Sequence, residues 1–134
     1  MAVRANVTEV EKPYCEVELG EDVSGLRHLI EVKADAEAYK ATDAAGVRVI
    51  GVNEAEGSEG DTVTVRQGYF WLTNSATNAV TAAHIGTVCY VETSRIVQSA
   101  VGSHSVVAGT VINVDATAGV LVNVGIGAAK ALTS

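Results

Sequence analysis

Between Val47 and Leu72 the chain alternates apolar and polar residues in two short runs, Val47–Val52 and Thr62–Gln67, on either side of a loop of Asn, Gly, Ser and acids. Period-two alternation flanking turn-forming residues specifies a β-hairpin. Val47, Val49 and Gly51 are expected on one face and Arg48, Ile50 and Val52 on the other. On the return strand, Val63 and Val65 oppose Thr62, Thr64 and Arg66. Gly57 and Gly60 allow the backbone to reverse within the loop Asn53–Asp61. The acids of that loop, Glu54, Glu56, Glu59 and Asp61, read as solvated charge. Tyr69, Phe70 and Trp71 follow directly and hold half of the six aromatics. They are the expected anchor of the core.

The rest of the composition fits the same reading. There are 23 Val, 20 Ala, 12 Thr and 13 Gly but one Phe and one Trp. β-Branched residues suit a pleated surface, whereas Ala adds little buried area. A chain of 134 residues fits one domain that buries roughly two-thirds of its unfolded surface. Its core is expected to be thin, and oligomerisation is one way to support such a core.

Charge is unevenly placed. The net charge is −7 and the isoelectric point about 4.8, which argues against a nucleic-acid partner. Residues 1–61 hold 14 acids and 6 bases, and residues 62–134 hold 2 acids and 3 bases. From Ile96 onward only Asp115 and Lys130 are charged. Such a stretch either faces other protein or combines a buried segment with a neutral Ser/Thr/Asn surface. No segment resembles a signal peptide and no run approaches the ~20 apolar residues of a membrane span, so a soluble protein made in a cytoplasm is expected. Cys15 and Cys89 are then expected to be reduced, small apolar side chains.

In chain order, residues 1–13 read as an extended arm in which Val3, Val7 and Val10 alternate with charges such as Arg4, and which ends at Pro13, the sole proline. Such an arm suits addition to a partner as a strand. Residues 14–127 read as an all-β barrel or sandwich of short antiparallel strands, and residues 128–134 as a tail. Expected strands are Tyr14–Leu19, Leu29–Lys33, Tyr39–Thr42, Thr87–Val91 and Arg95–Gln98. A closing hairpin pairs Val106–Val114 with Val120–Ile126. In its last strand Val120, Val122, Val124 and Ile126 form an unbroken apolar face, a candidate for subunit contacts.

No catalytic constellation is visible. His28, His84 and His104 are isolated, without a second ligand at metal spacing, and read as surface or loop residues. No local signature surrounds either cysteine. The acidic loop does not match a calcium-loop spacing. Gly125-Ile-Gly127-Ala-Ala-Lys130 lacks the third glycine and the following helix of a phosphate-binding turn. No cofactor, metal or catalytic residue is expected.

The ordered pattern of A-T-D-A-A-G at Ala41–Gly46, V-I-G-V at Val49–Val52 and G-D-T-V-T-V-R-Q-G at Gly60–Gly68, followed by V-C-Y-V at Val88–Val91 and A-G-T-V-I at Ala108–Ile112, resembles the head decoration, or capsid cement, proteins of tailed bacteriophages. The resemblance spans about residues 20–126. It implies a small β-barrel that assembles as a trimer on the outer capsid lattice, with the major capsid protein as partner. It also implies an N-terminal segment, here Val3, Arg4, Val7, Val10 and Pro13, that grips the shell. Alternatives are another virion component, such as a tail or spike subunit, and a small Cys- or His-dependent enzyme.

Overall fold

The computed structural model describes residues 14–125. The regular structure of these residues is almost entirely β. Its strands are β1 (Tyr14–Glu18), β2 (Leu29–Val32), β3 (Ala38–Lys40), β4 (Arg48–Asn53), β5 (Thr62–Arg66), β6 (Gly68–Asn74), β7 (Val88–Val91), β8 (Ile96–Gln98), β9 (Val107–Asp115) and β10 (Gly119–Val124). One 3₁₀ turn, Ala82–His84, lies between β6 and β7. The arm residues Val3, Arg4, Val7, Val10 and Pro13, the tail, and Ile126 lie outside the described residues.

Two β layers follow from this order. The N-terminal half makes a five-stranded sheet, β1-β5-β4-β2-β3, and the C-terminal half makes a closed barrel, β10-β6-β8-β7-β9. A bridge from Leu19 to Ala38 and the hydrogen bond from Gly20 N–H to the Ala38 carbonyl (2.9 Å) bring the two edges of the sheet together. The expected hairpin is present, but β4 and β5 share only two rungs, Val52 with Arg66 and Asn53 with Val65. The fuller partner of β5 is β1, across five rungs from Tyr14–Arg66 to Glu18–Thr62. Alternation on β5 is as expected, with Val63 and Val65 buried. On β4 it breaks at the end, where Gly51, Val52 and Asn53 are all buried. Opposite this point the β2–β4 register shifts between Ile30 and Glu31, a bulge that defeats simple period-two counting.

Packing divides into two clusters of small side chains. Leu19, Val23, Ile30, Ala38, Val63 and Val65 fill one face of the sheet. The larger cluster fills the barrel with Leu72, Cys89, Val91, Val97, Ala108, Val111, Val120, Val122 and Val124, and extends to Leu29, Val49 and Val52 on the other face of the sheet. Because backbones approach closely in such a core, glycine is required at specific points. A Cβ on Gly109 would fall on the Asn123 carbonyl oxygen and 2.7 Å from Val122 Cγ1.

Two expectations about core and surface are overturned here. Tyr69 is 66% exposed and Trp71 39% exposed, so neither anchors the core; only Phe70, partly buried, packs against it. The reason is register: on β6 the side chains of Phe70 and Leu72 pair with Val122 and Val120, which turns Tyr69 and Trp71 outward. Conversely, Val120, Val122 and Val124 are at most 1% exposed. They fill the barrel and are not available for subunit contacts.

Candidate functional site

The outward rungs of the barrel form the most distinctive surface of the molecule. Antiparallel registers carry one row from Tyr69 through Asn123 and Thr110 to Val88, and a second from Trp71 through Leu121 to Asn113. Residues paired in this way share a face of the sheet. A bulge between Leu121 and Val122 leaves Ile112 as an extra residue on β9, and its side chain is 37% exposed. Bulges redirect side chains in this manner. The four strands β6, β7, β9 and β10 contain a single charged residue, Asp115. Its Oδ2 accepts the N–H groups of Ala118 (2.7 Å) and Thr117 (2.9 Å), which hold its carboxyl below the usual carboxylate range. The one charge on these strands is therefore turned into its own hairpin.

A concave feature lies where the sheet meets the barrel. A cavity of about 530 Å³ opens between Val47, Val49 and Ile50 on one side and Val106 and Val107 on the other, with Arg48 and His104 among its lining residues. Its wall is braced by Asp43, which accepts N–H bonds from Ser103 (2.6 Å) and His104 (2.9 Å). These bonds, the Ser103 one foremost, hold the Asp43 carboxyl below its ordinary range. On the preceding residue, the Thr42 N–H donates to Oε1 of the fully buried Glu31 at 2.7 Å. Glu31 Oε2 has no hydrogen-bond partner among the described residues. A buried, half-satisfied carboxyl group is costly to place, and the Thr42 N–H and hydroxyl that reach its Oε1 tie β2 to the turn leading to Asp43.

The histidines divide by environment. His28 is buried and sits on the seam between sheet and barrel, contrary to its expected place on a loop surface. Its Nε2 lies 2.9 Å from the Ser24 carbonyl, which can only accept, so Nε2 carries the proton and Nδ1 accepts from the Ser94 hydroxyl at 2.7 Å. Burial is the main cause that lowers its pKa from the ordinary 6.5. Alongside, the Leu29 N–H donates to the Ser94 carbonyl (2.6 Å) and Arg95 Nη2 to the Leu26 carbonyl (2.8 Å). His84 accepts the Thr81 N–H within the 3₁₀ turn. His104 is exposed beside Asp43, with 3.6 Å between Nδ1 and Oδ1. None of the three faces a cysteine: Cys89 is buried, its thiol pushed up to about 12 by desolvation, and Cys15 is raised by the same cause. Neither is poised as a thiolate nucleophile.

The acidic loop after β4 is organised by its own carboxylates. Glu56 accepts the Gly25 N–H, Asp61 the Ser58 N–H, and Glu54 meets Arg66 at 2.6 Å. No group of three or more His, Cys, Asp or Glu placed to hold a metal exists among the described residues. No protein-family model, curated protein or solved structure matches the chain.

One further juxtaposition bears on the terminal segments. Tyr14 pairs with Arg66, and a Cβ on Gly125 would lie 2.8 Å from Gln67 Cγ. Tyr14 and Gly125, the first and last described residues, thus lie beside the adjacent residues Arg66 and Gln67, just ahead of β6. Sequence reasoning missed the outer face because it weighed Tyr69 and Trp71 by size. The usable signal was the out-in-out-in pattern of Tyr69, Phe70, Trp71 and Leu72 opposite the apolar Val120, Val122 and Val124.

Proposed function

We propose that this chain is a non-catalytic structural protein that decorates the outer surface of a bacteriophage capsid and stiffens it, acting as a trimer bound to the major capsid protein. The observation that carries the reading is an uncharged outer face with exposed aromatics on an otherwise acidic β scaffold. Interfaces are enriched in aromatic side chains and depleted of charge at their cores. The motifs behind the capsid-cement resemblance support it as well: V-I-G-V falls on β4, T-V-T-V-R on β5, V-C-Y-V on β7 and A-G-T-V-I on β9.

In this reading residues 1–13 supply the grip, with Val3, Val7 and Val10 lying against the shell and Arg4 and Pro13 setting its charge and direction. Many weak contacts suffice, because a trimer tethered at one point has a high effective concentration for the next. The test is binding to purified shells prepared without the protein. The full chain is expected to bind at a fixed number of copies per shell, and a chain lacking residues 2–12 is expected to fold but not bind. Undiminished binding by the shortened chain overturns the role of the arm, and failure of the full chain to bind overturns the reading.

A further inference from the structure

We infer that the uncharged outer face of the barrel, centred on Trp71 and Leu121, is the surface through which copies of this chain meet. The inference names the interface inside the assembly proposed above and rests on that reading only for the number of copies.

Three observations point to a second copy as the occupant. The first is chemical composition. Across β6, β10 and β9 the outward positions are Tyr69, Trp71, Leu121, Asn123, Ile112 and Asn113, and none carries charge. Tyr69, Trp71 and Ile112 are among the few large apolar side chains the described residues leave exposed. Tyr and Trp supply large contact area at low entropic loss, and they dominate interface energetics when their surroundings exclude water.

The second observation is geometric. Ile112 is turned outward by a bulge, and the one charge of these strands, Asp115, is tied into the β9–β10 turn by two N–H bonds. The turn engages the only carboxylate of these strands. The bulge on β9 adds an exposed Ile side chain to the face that already carries Tyr69 and Trp71.

Electrostatics supplies the third. Residues 14–66 carry 12 acids and 5 bases, and residues 67–125 carry 2 acids and 1 base. Two copies approaching through the sheet bring like charges together, whereas approach through the barrel face does not. A basic partner would be drawn to the acidic sheet. The complement of the barrel face is another uncharged surface, and the same face on a second copy of this −7 chain supplies one while keeping the two acidic sheets apart.

Sedimentation equilibrium of the full chain at low and high salt tests this, together with Trp71→Glu and with Glu59→Lys, a charge reversal on the exposed acidic loop. The full chain is expected to self-associate, at least as tightly in high salt, because screening weakens repulsion between the sheets. Trp71→Glu is expected to weaken association by about 30-fold or more, the loss typical of a central aromatic. Glu59→Lys is expected to associate at least as tightly as the parent. Circular dichroism verifies folding, and Tyr69→Glu carries the same test if Trp71→Glu fails to fold. A full chain that stays monomeric, association that weakens with salt, or a folded Trp71→Glu that associates like the parent each overturns the inference. Association that requires Trp71 in a chain that binds no shell supports the inference and counts against the decoration reading alone.

Discussion

The sheet and the barrel solve the same packing problem with opposite use of charge. Both have cores of Val, Leu, Ile and Ala. The sheet half spends its acids on its own backbone: Glu21 accepts the Lys40 N–H, Asp22 the Glu59 N–H, Asp35 the Glu37 N–H, and Glu56 the Gly25 N–H. Its long loops are ordered by carboxylates bound to N–H groups, which are stronger than neutral hydrogen bonds. The barrel half closes by ladder pairing and leaves its outward rungs neutral. Acidity in this chain is therefore a loop-folding device on one side, while the other side presents uncharged outward rungs.

The largest effect that would separate the two halves is steric. Gly109→Ala places a methyl group on the Asn123 carbonyl inside the barrel and is expected to lower stability by about 2–3 kcal/mol. Gly60→Ala in the acidic loop meets nothing within 4 Å and has a φ of +93°, so it is expected to lose only about 1 kcal/mol from backbone strain. Chemical denaturation of both variants measures the difference. Equal losses would show that the barrel backbone gives way as easily as the loop.

An intermediate effect lies at the seam. The His28 pKa is lowered in the fold, so the unfolded chain binds more protons as pH falls below 6.5. The stability contribution is complete above that pH and declines as pH drops through it toward the folded value. Thermal melts between neutral and mildly acidic pH are expected to show this decline, and His28→Gln is expected to flatten it. An unchanged slope in the variant would move the acid sensitivity away from the seam between the halves.

The smallest effect belongs to the ion pair of the acidic loop. Arg66 and Glu54 have side chains 31% and 35% exposed, and Glu54→Ala is expected to change stability by no more than about 0.5 kcal/mol. A larger loss would mean that pairing between charges, and not acceptance of backbone N–H groups, orders the sheet's loops.

Much of this architecture can be read from the residues. Turn signals around Val47–Gln67 and the closing hairpin around Asp115–Gly119 locate β4, β5, β9 and β10 within a residue or two. Alternation in Tyr14–Leu19 places Cys15, Val17 and Leu19 inward on β1, as the burial of that strand shows. What alternation does not give is the identity of each face's neighbour. Val120, Val122 and Val124 read equally well as a barrel lining or as a subunit contact, and only the ladder to Phe70 and Leu72 decides between them. The same ladder decides the fate of Tyr69 and Trp71, whose size suggests a core and whose register turns them to solvent. His28 is similarly opaque, because its partners Ser24 and Ser94 meet it across the seam, the second from 66 residues away.

Trp71 is the sole tryptophan, so its fluorescence reports directly on the outer face. Acrylamide quenching of the full chain, from dilute solution to concentrations at which copies associate, measures whether that face becomes covered. A contact surface predicts a blue shift of the emission and protection from quenching as concentration rises, with neither change in dilute protein. Emission and quenching that stay constant while the protein demonstrably associates would place the contact elsewhere and contradict the division between an acidic, self-contained sheet and a neutral, partner-facing barrel.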